Sequence, residues 1–205
     1  MLSRFHYQAR PAYLLLVAAG LLSAACSPKK EATPGAMDSS GMMASQESTP
    51  PAAAPALNDA QIAHIAVTAD AIDSAAGKYA LEKGSSKAVK DFAQTMVNDH
   101  SAVNRQAVAL ATKLGVTPED NDVSHQLTDG ADQAHTTLTG LTGAAFDKAY
   151  MDREIAYHQA VLDALDSTLI PGTQNAELKA LLVAVRPNFV AHLARAKSVR
   201  SGLGA

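Results

Sequence analysis

The sequence has a single cysteine, Cys26, no tryptophan, and aromatic residues at only 4% of its 205 positions. One cysteine excludes an intramolecular disulfide, so the folded part must be stable through its core alone. The net charge is −3 and the lysines and arginines are scattered, which excludes the basic surface of a nucleic-acid-binding protein. Strand-like alternation is also missing, whereas alanine and leucine are abundant, so the composition favours helices.

An apolar run near the start of the chain is too short to span a membrane. This run, Tyr13–Leu22, follows Arg4 and Arg10 and precedes three small residues, an organisation typical of a secretory signal peptide. The string Leu22-Ser23-Ala24-Ala25-Cys26 resembles a bacterial lipobox, in which the cysteine is acylated and becomes the first mature residue. We therefore predict a signal peptide over residues 1–25 and lipid attachment at Cys26.

The predicted lipid makes the membrane the first expected partner of the chain. Ser27, rather than aspartate, follows Cys26, which by resemblance to other envelope lipoproteins favours the outer membrane and a protein that faces the periplasm. Residues 26–57 are rich in proline, alanine, serine and methionine and carry few large apolar groups, so we expect a disordered tether. The folded part then covers residues 58–200, and residues 201–205 form a flexible tail.

The folded part reads as helices with apolar residues at steps of three and four. Asn58 and Gln61 form a capping box that starts the first helix, Gly84 ends it, and Ser85-Ser86 caps the second, which ends at Gly115. The predicted core stripe of the first helix is Ile62, Ile65, Ala69, Ile72, Ala76 and Tyr79.

The remaining elements complete an all-α fold. A short amphipathic helix within residues 122–143 precedes a third long helix at 144–169 and a fourth at 174–200. Pro187 lies opposite the apolar stripe of the fourth helix and should kink it on its solvent side. Four long helices with a crossover between the second and third predict a four-helix bundle.

Three of the seven histidines fall on apolar helix faces. They are His100, His158 and His192, and Glu154 shares a face with His158 because the two are four residues apart. In one hypothesis these four residues bind a divalent metal such as iron, zinc, copper or manganese, and Asp99, Asp147 or Asp73 supports them or adds a ligand.

In the other hypothesis, the histidines hydrogen-bond to carboxylates or to tyrosines and form polar layers that fix helix register. The candidate tyrosines are Tyr79, Tyr150 and Tyr157. The chain has Glu-x-x-x-His once rather than the repeated Glu-x-x-His of di-iron bundles, which argues against an oxygen-activating di-iron centre.

Three strings carry a family resemblance: Met96-Val97-Asn98-Asp99-His100, Phe146-Asp147-Lys148-Ala149-Tyr150 with His158, and Pro187 with His192-Leu193. Together they resemble the bacterial domain-of-unknown-function family 4142, over about residues 58–200. Members are often labelled outer-membrane or exported proteins, and the resemblance implies a ferritin-like helical bundle in the cell envelope. It implies no activity.

The sequence favours a non-enzymatic role. It contains neither a Gly-x-Ser-x-Gly elbow nor a phosphate-binding glycine loop. Our leading expectation is a lipid-anchored helical bundle that acts as a binding or stress-related module of the envelope. The alternative is a metal-binding protein, with a redox, storage or sensing role, that uses the core histidines and Glu154.

Overall fold

The computed structural model describes residues 56–204, and all regular structure within that range is helical, which confirms the all-α fold. The signal peptide, Cys26 and nearly all of the tether lie outside the described residues. Among the described helices, none combines the length and apolar character needed to cross a membrane. The elements are α1 (Asp59–Lys83), α2 (Lys87–Leu114), α3 (Asp122–Thr139), α4 (Gly143–Ala164), a π-helical turn (Leu165–Leu169), α5 (Ile170–Gly172) and α6 (Ala176–Gly202).

Local capping signals place most helix ends where the sequence predicts them. Asn58 and Gln61 exchange the two hydrogen bonds of a capping box at the start of α1. Gly84 follows the last residue of α1, and Gly115 follows α2 with a left-handed φ of 65° that glycine adopts without strain. The fourth long helix, α6, extends two residues beyond the predicted end at Arg200.

The start of α2 is capped differently from the prediction. Ser86 is the N-cap residue, but its side chain makes no capping hydrogen bond. Asp147 of α4 takes that role, because its carboxylate accepts hydrogen bonds from the backbone N–H groups of Ser85 and Ser86 at 2.9 and 2.8 Å. The negative charge also interacts favourably with the N-terminal end of the helix dipole.

The buried face of α1 departs from the predicted stripe in the second half of the helix. In the first half, Ile62, Ile65 and Ala69 are buried as predicted, but further on the buried face turns to Asp73 and Gly77. The other stripe residues, Ile72, Ala76 and Tyr79, are half-buried and line a cavity against α3. The prediction was wrong there because α1 packs against α3 as well as against α2 and α4.

The four long helices pack pairwise, α1 with α2 and α4 with α6, and contacts of α2 with α6 and of α1 with α4 join the pairs. Two apolar clusters lie between them. One gathers the start of α1, the end of α4 and the first part of α6; the other gathers the end of α1 with the first halves of α2 and α4. Asp73 of α1, His100 of α2, and Glu154 and His158 of α4 lie between the segments that supply these clusters.

The third long helix reaches Leu169 as predicted, but it continues without a gap to Gly172 and does not stop before Pro171. Ala164 is followed by a π-helical turn and then by the short α5, which contains Pro171. Pro187 lies inside α6 and is exposed, which agrees with its predicted position on the solvent side.

Candidate metal centre

All four long helices send polar side chains into one buried cluster. Asp73 comes from α1, His100 from α2, Glu154 and His158 from α4, and His192 from α6; we call these five residues the histidine–carboxylate centre. Three of them have no exposed surface, His100 is 2% exposed and His192 is 6% exposed. Burial of so many ionisable groups is costly unless each is paired or bound to a metal.

In every residue of the centre, one polar atom is held by a hydrogen bond to protein. Arg153 Nη1 donates to Asp73 Oδ1 and to Glu154 Oε1, both at 2.6 Å. One nitrogen of each ring is also hydrogen-bonded. His100 Nδ1 bonds to Asp70 Oδ1 at 2.8 Å, His158 Nδ1 to the Glu154 carbonyl oxygen at 2.9 Å, and His192 Nε2 to Asp99 Oδ2 at 2.9 Å. These contacts fix the orientation of each side chain.

The other polar atom of each residue is buried and forms no hydrogen bond within the described residues. These atoms are Asp73 Oδ2, His100 Nε2, Glu154 Oε2, His158 Nε2 and His192 Nδ1. Buried polar atoms in folded proteins nearly always have a partner. His100 Nε2 and Asp73 Oδ2 face each other as an ion pair at 2.9 Å, so the other three atoms are the ones that require an explanation. A metal ligand held in place by a hydrogen bond through its second polar atom is the usual arrangement in metal sites.

Distances between these atoms fit ligands of one ion. Two atoms at about 2.1 Å from a common ion lie about 3.0 Å apart at a right angle and about 3.4 Å apart at a tetrahedral angle. Asp73 Oδ2 lies 2.9 Å from His100 Nε2 and 3.5 Å from His158 Nε2. The first pair is at hydrogen-bond distance, yet it lacks the alignment of a hydrogen bond.

Two sets of three ligand atoms lie within 4.8 Å of one another: those of His100, His158 and His192, and those of Asp73, Glu154 and His158. His158 belongs to both sets. Its Nδ1 is taken by the Glu154 carbonyl, so Nε2 is its one free ligand atom. Because one imidazole nitrogen binds one ion, the two sets cannot each hold an ion through His158 Nε2 at the same time.

The pKa values of two histidines suit metal binding. Burial lowers the pKa of His158 to about 4. Burial and the positive charge of His100 also lower the pKa of His192, although Asp99 acts against them. Both rings are therefore neutral at neutral pH, and the neutral imidazole is the form that binds metals.

The remaining groups carry protons or charge when no metal is bound. Burial would lower the pKa of His100, but the contacts with Asp70 and Asp73 raise it to about 10. Burial would raise the pKa of Asp73, but His100, Arg153 and His158 hold it well below its usual value. Burial and the charge of Asp73 raise the pKa of Glu154 well above its usual range.

Two residues of this network, Asp70 and Arg153, were missed by the sequence reasoning. Asp70 is 3% exposed and precedes Asp73 by three residues, so a pair of acidic residues on one helix face was an available signal. Arg153 gave no signal, because an arginine between two acidic residues reads as part of a solvated face. Its side chain is 12% exposed, and its guanidinium lies 4.4 Å above the ring of Tyr157.

The structure brings together His100, Glu154, His158 and His192, with Asp73 as a fifth residue and Asp99 as support for His192. Asp147 lies elsewhere, at the start of α2, because the free backbone N–H groups there hold its carboxylate. The candidate tyrosines do not hydrogen-bond to the histidines: Tyr157 donates to the Ala69 carbonyl, Tyr79 packs against His135, and the buried Tyr150 hydroxyl has no partner among the described residues.

Comparisons with known proteins give a family but no activity. A family model described as a domain of unknown function, DUF4142, matches residues 44–199. Neither the curated proteins nor the solved structures contain a match to this chain.

Proposed function

Since the chain belongs to the DUF4142 family, whose description leaves the activity open, we propose a function from the geometry of the centre: it binds one divalent transition-metal ion. The observation that carries this proposal is the set of five buried ligand atoms, each on a side chain whose other polar atom is hydrogen-bonded. An ion held by either group of three, His100, His158 and His192 or Asp73, Glu154 and His158, would satisfy three of these atoms at once.

The donor set defines the class of metal. Three imidazole nitrogens and two carboxylate oxygens, with no sulfur, suit iron, manganese, zinc or copper in the divalent state. Two carboxylates and three histidines do not provide the four carboxylates and two histidines of a di-iron bundle site. The role proposed here is therefore the binding of one ion, and no reaction is assigned to it.

The packing of the helices supports a finer description of the fold. We propose a ferritin-like four-helix bundle in which α3 is the crossover between the second and third long helices. The support is that α1, α2, α4 and α6 make pairwise contacts around one buried polar cluster, while α3 contacts only the outer side of α1 and α4 in any number. Ligands on facing helices are typical of metal sites in such bundles.

The location of the protein is a proposal that rests on sequence alone. The signal-like residues 1–25 and the lipobox-like string that ends at Cys26 support a lipid-anchored protein of the bacterial envelope. In that setting the centre would bind metal on the periplasmic side of the outer membrane, as a non-enzymatic binding or stress-related module.

Metal content tests the proposed function directly. The purified chain is loaded separately with iron, manganese, zinc and copper, dialysed, and measured by elemental analysis. We expect about one equivalent of at least one metal, and a loss of that metal in His158→Ala and in His192→Ala. His125→Ala, which removes an exposed histidine of α3, should retain the metal and serves as the matched control.

Circular dichroism shows whether each variant is folded. His192→Ala should disturb the fold less than His158→Ala, because His192 lies at the edge of the centre. If the unmutated chain binds far less than one equivalent of every metal tested, the result would contradict the proposal. If the unmutated chain binds no metal and the histidine variants are less stable, the result would instead support the polar-layer role of these histidines.

A further inference from the structure

A cavity lies outside the centre, between α1 and α3. A cavity of about 440 Å³ separates the two helices there, a volume within the range of small-molecule sites. The space exists because the facing residues are small, with Ala75 and Ala76 on α1 and Ala131 and Ala134 on α3. Tyr79 of α1 and His135 of α3 also line the cavity and contact each other, with ring centroids 4.7 Å apart and ring planes tilted by 59°.

The walls of the cavity are mainly apolar, and its most buried charge is Arg153. The other charged lining residues, Lys78, Glu82 and Asp132, are exposed, so the rim carries both signs. Nη1 of Arg153 donates to Asp73 and Glu154, whereas Nε and Nη2 make no hydrogen bond within the described residues. A guanidinium with free donors is suited to a carboxylate, which it can bind through two parallel hydrogen bonds.

We propose that this cavity binds a small organic acid with an apolar body, whose carboxylate pairs with Arg153 and whose chain lies along the alanine walls. Apolar contact supplies affinity, and the single buried cation selects the head group. A carboxylate would place its charge beside Arg153, whereas an ammonium head would be repelled there. The cavity contains none of the proposed metal ligands, and Arg153 is the lining residue that hydrogen-bonds to two of them, Asp73 and Glu154.

Octanoate, octylamine and 1-octanol serve as probes because they share a chain length and differ in the head group. Binding to the purified full chain is measured by ligand-observed NMR, with and without bound metal. We expect saturable binding of octanoate, with octylamine and 1-octanol at least tenfold weaker. Equal or tighter binding of octylamine would contradict the pairing with Arg153.

Variants of the two walls locate the site. Ala131→Leu on α3 and Ala75→Leu on α1 each fill the cavity, and we expect either to weaken octanoate binding at least tenfold. Gln133→Leu adds the same side chain to an exposed position of α3 outside the cavity, so it should bind octanoate normally.

Ala75 is exposed, so Ala75→Leu is expected to fold even if the half-buried Ala131 does not tolerate the change. Octanoate binding that persists in both folded wall variants, or the absence of saturable binding, would overturn the inference. None of these substitutions touches the histidine–carboxylate centre, so the metal content of the same variants reports separately on the proposed function.

Discussion

At the scale of single residues, Asp70 and Asp147 show that similar buried carboxylates serve different purposes. Asp70 Oδ1 accepts a hydrogen bond from His100 Nδ1–H, which directs His100 Nε2 towards Asp73. Asp147 binds only backbone and hydroxyl groups at the start of α2. The first therefore supports a ligand, whereas the second supports a helix.

Asp70→Ala should weaken metal binding by about 10–100-fold, because loss of a partner that orients a ligand histidine typically has this effect. The dissociation constant is measured by competition with a chelator of known affinity. An unchanged constant in a folded Asp70→Ala protein would show that His100 is not a ligand.

Asp147→Ala is the matched control for that experiment. It removes a capping carboxylate, and the free energy of unfolding should fall by about 1–2 kcal/mol, with metal affinity unchanged. Urea denaturation of the metal-free variant gives the stability. A large loss of metal affinity in this variant would instead restore Asp147 as a supporting residue of the centre.

At the scale of helices, the sequence predicts what local chemistry decides. The ends of α1 and α2 follow from Asn58, Gln61, Gly84 and Gly115, whose capping signals act within a few residues. The buried face of α1 beyond Ala69 could not be predicted in this way, because it depends on which helices pack against it. The same limit hid Arg153, whose guanidinium is paired with Asp73 of the neighbouring helix α1.

Gly77 and Gly130 test helix packing in opposite directions. A Cβ at position 77 would lie 2.9 Å from the Ala93 carbonyl oxygen of α2, whereas one at position 130 of α3 would meet nothing within 4 Å. Gly77→Ala should therefore destabilise the protein by about 1–3 kcal/mol through overpacking, which exceeds the gain of about 1 kcal/mol in helix propensity.

Gly130→Ala gains helix propensity without any overpacking, so it should raise the free energy of unfolding by up to about 1 kcal/mol. Urea denaturation of both variants gives the comparison. Stabilisation by Gly77→Ala would mean that α1 and α2 can move apart at no cost and that their close approach is not required.

At the scale of the whole molecule, the proposed metal ion would compete with protons for the centre. Without metal, His100 is cationic and Glu154 is held protonated by burial and by Asp73. A divalent ion that binds both residues displaces these two protons and supplies two positive charges in their place. The charge of the centre is thus conserved, and the folded chain can exist in either form.

This exchange predicts that pH affects the two forms differently. The pKa of His100 is raised from 6.5 to about 10 in the metal-free fold, so the stability that its proton contributes is complete below about 6.5 and is lost as pH rises towards about 10. Urea midpoints of the metal-free protein should therefore fall across this range. In the loaded protein the ion replaces the proton on Nε2, so its urea midpoints should change less with pH, and the difference between the two forms should widen as pH rises.

His125→Ala, which lacks an exposed histidine, should follow the same two curves. Parallel curves for the free and loaded forms would show that His100 keeps its proton in both, and that the metal binds without it.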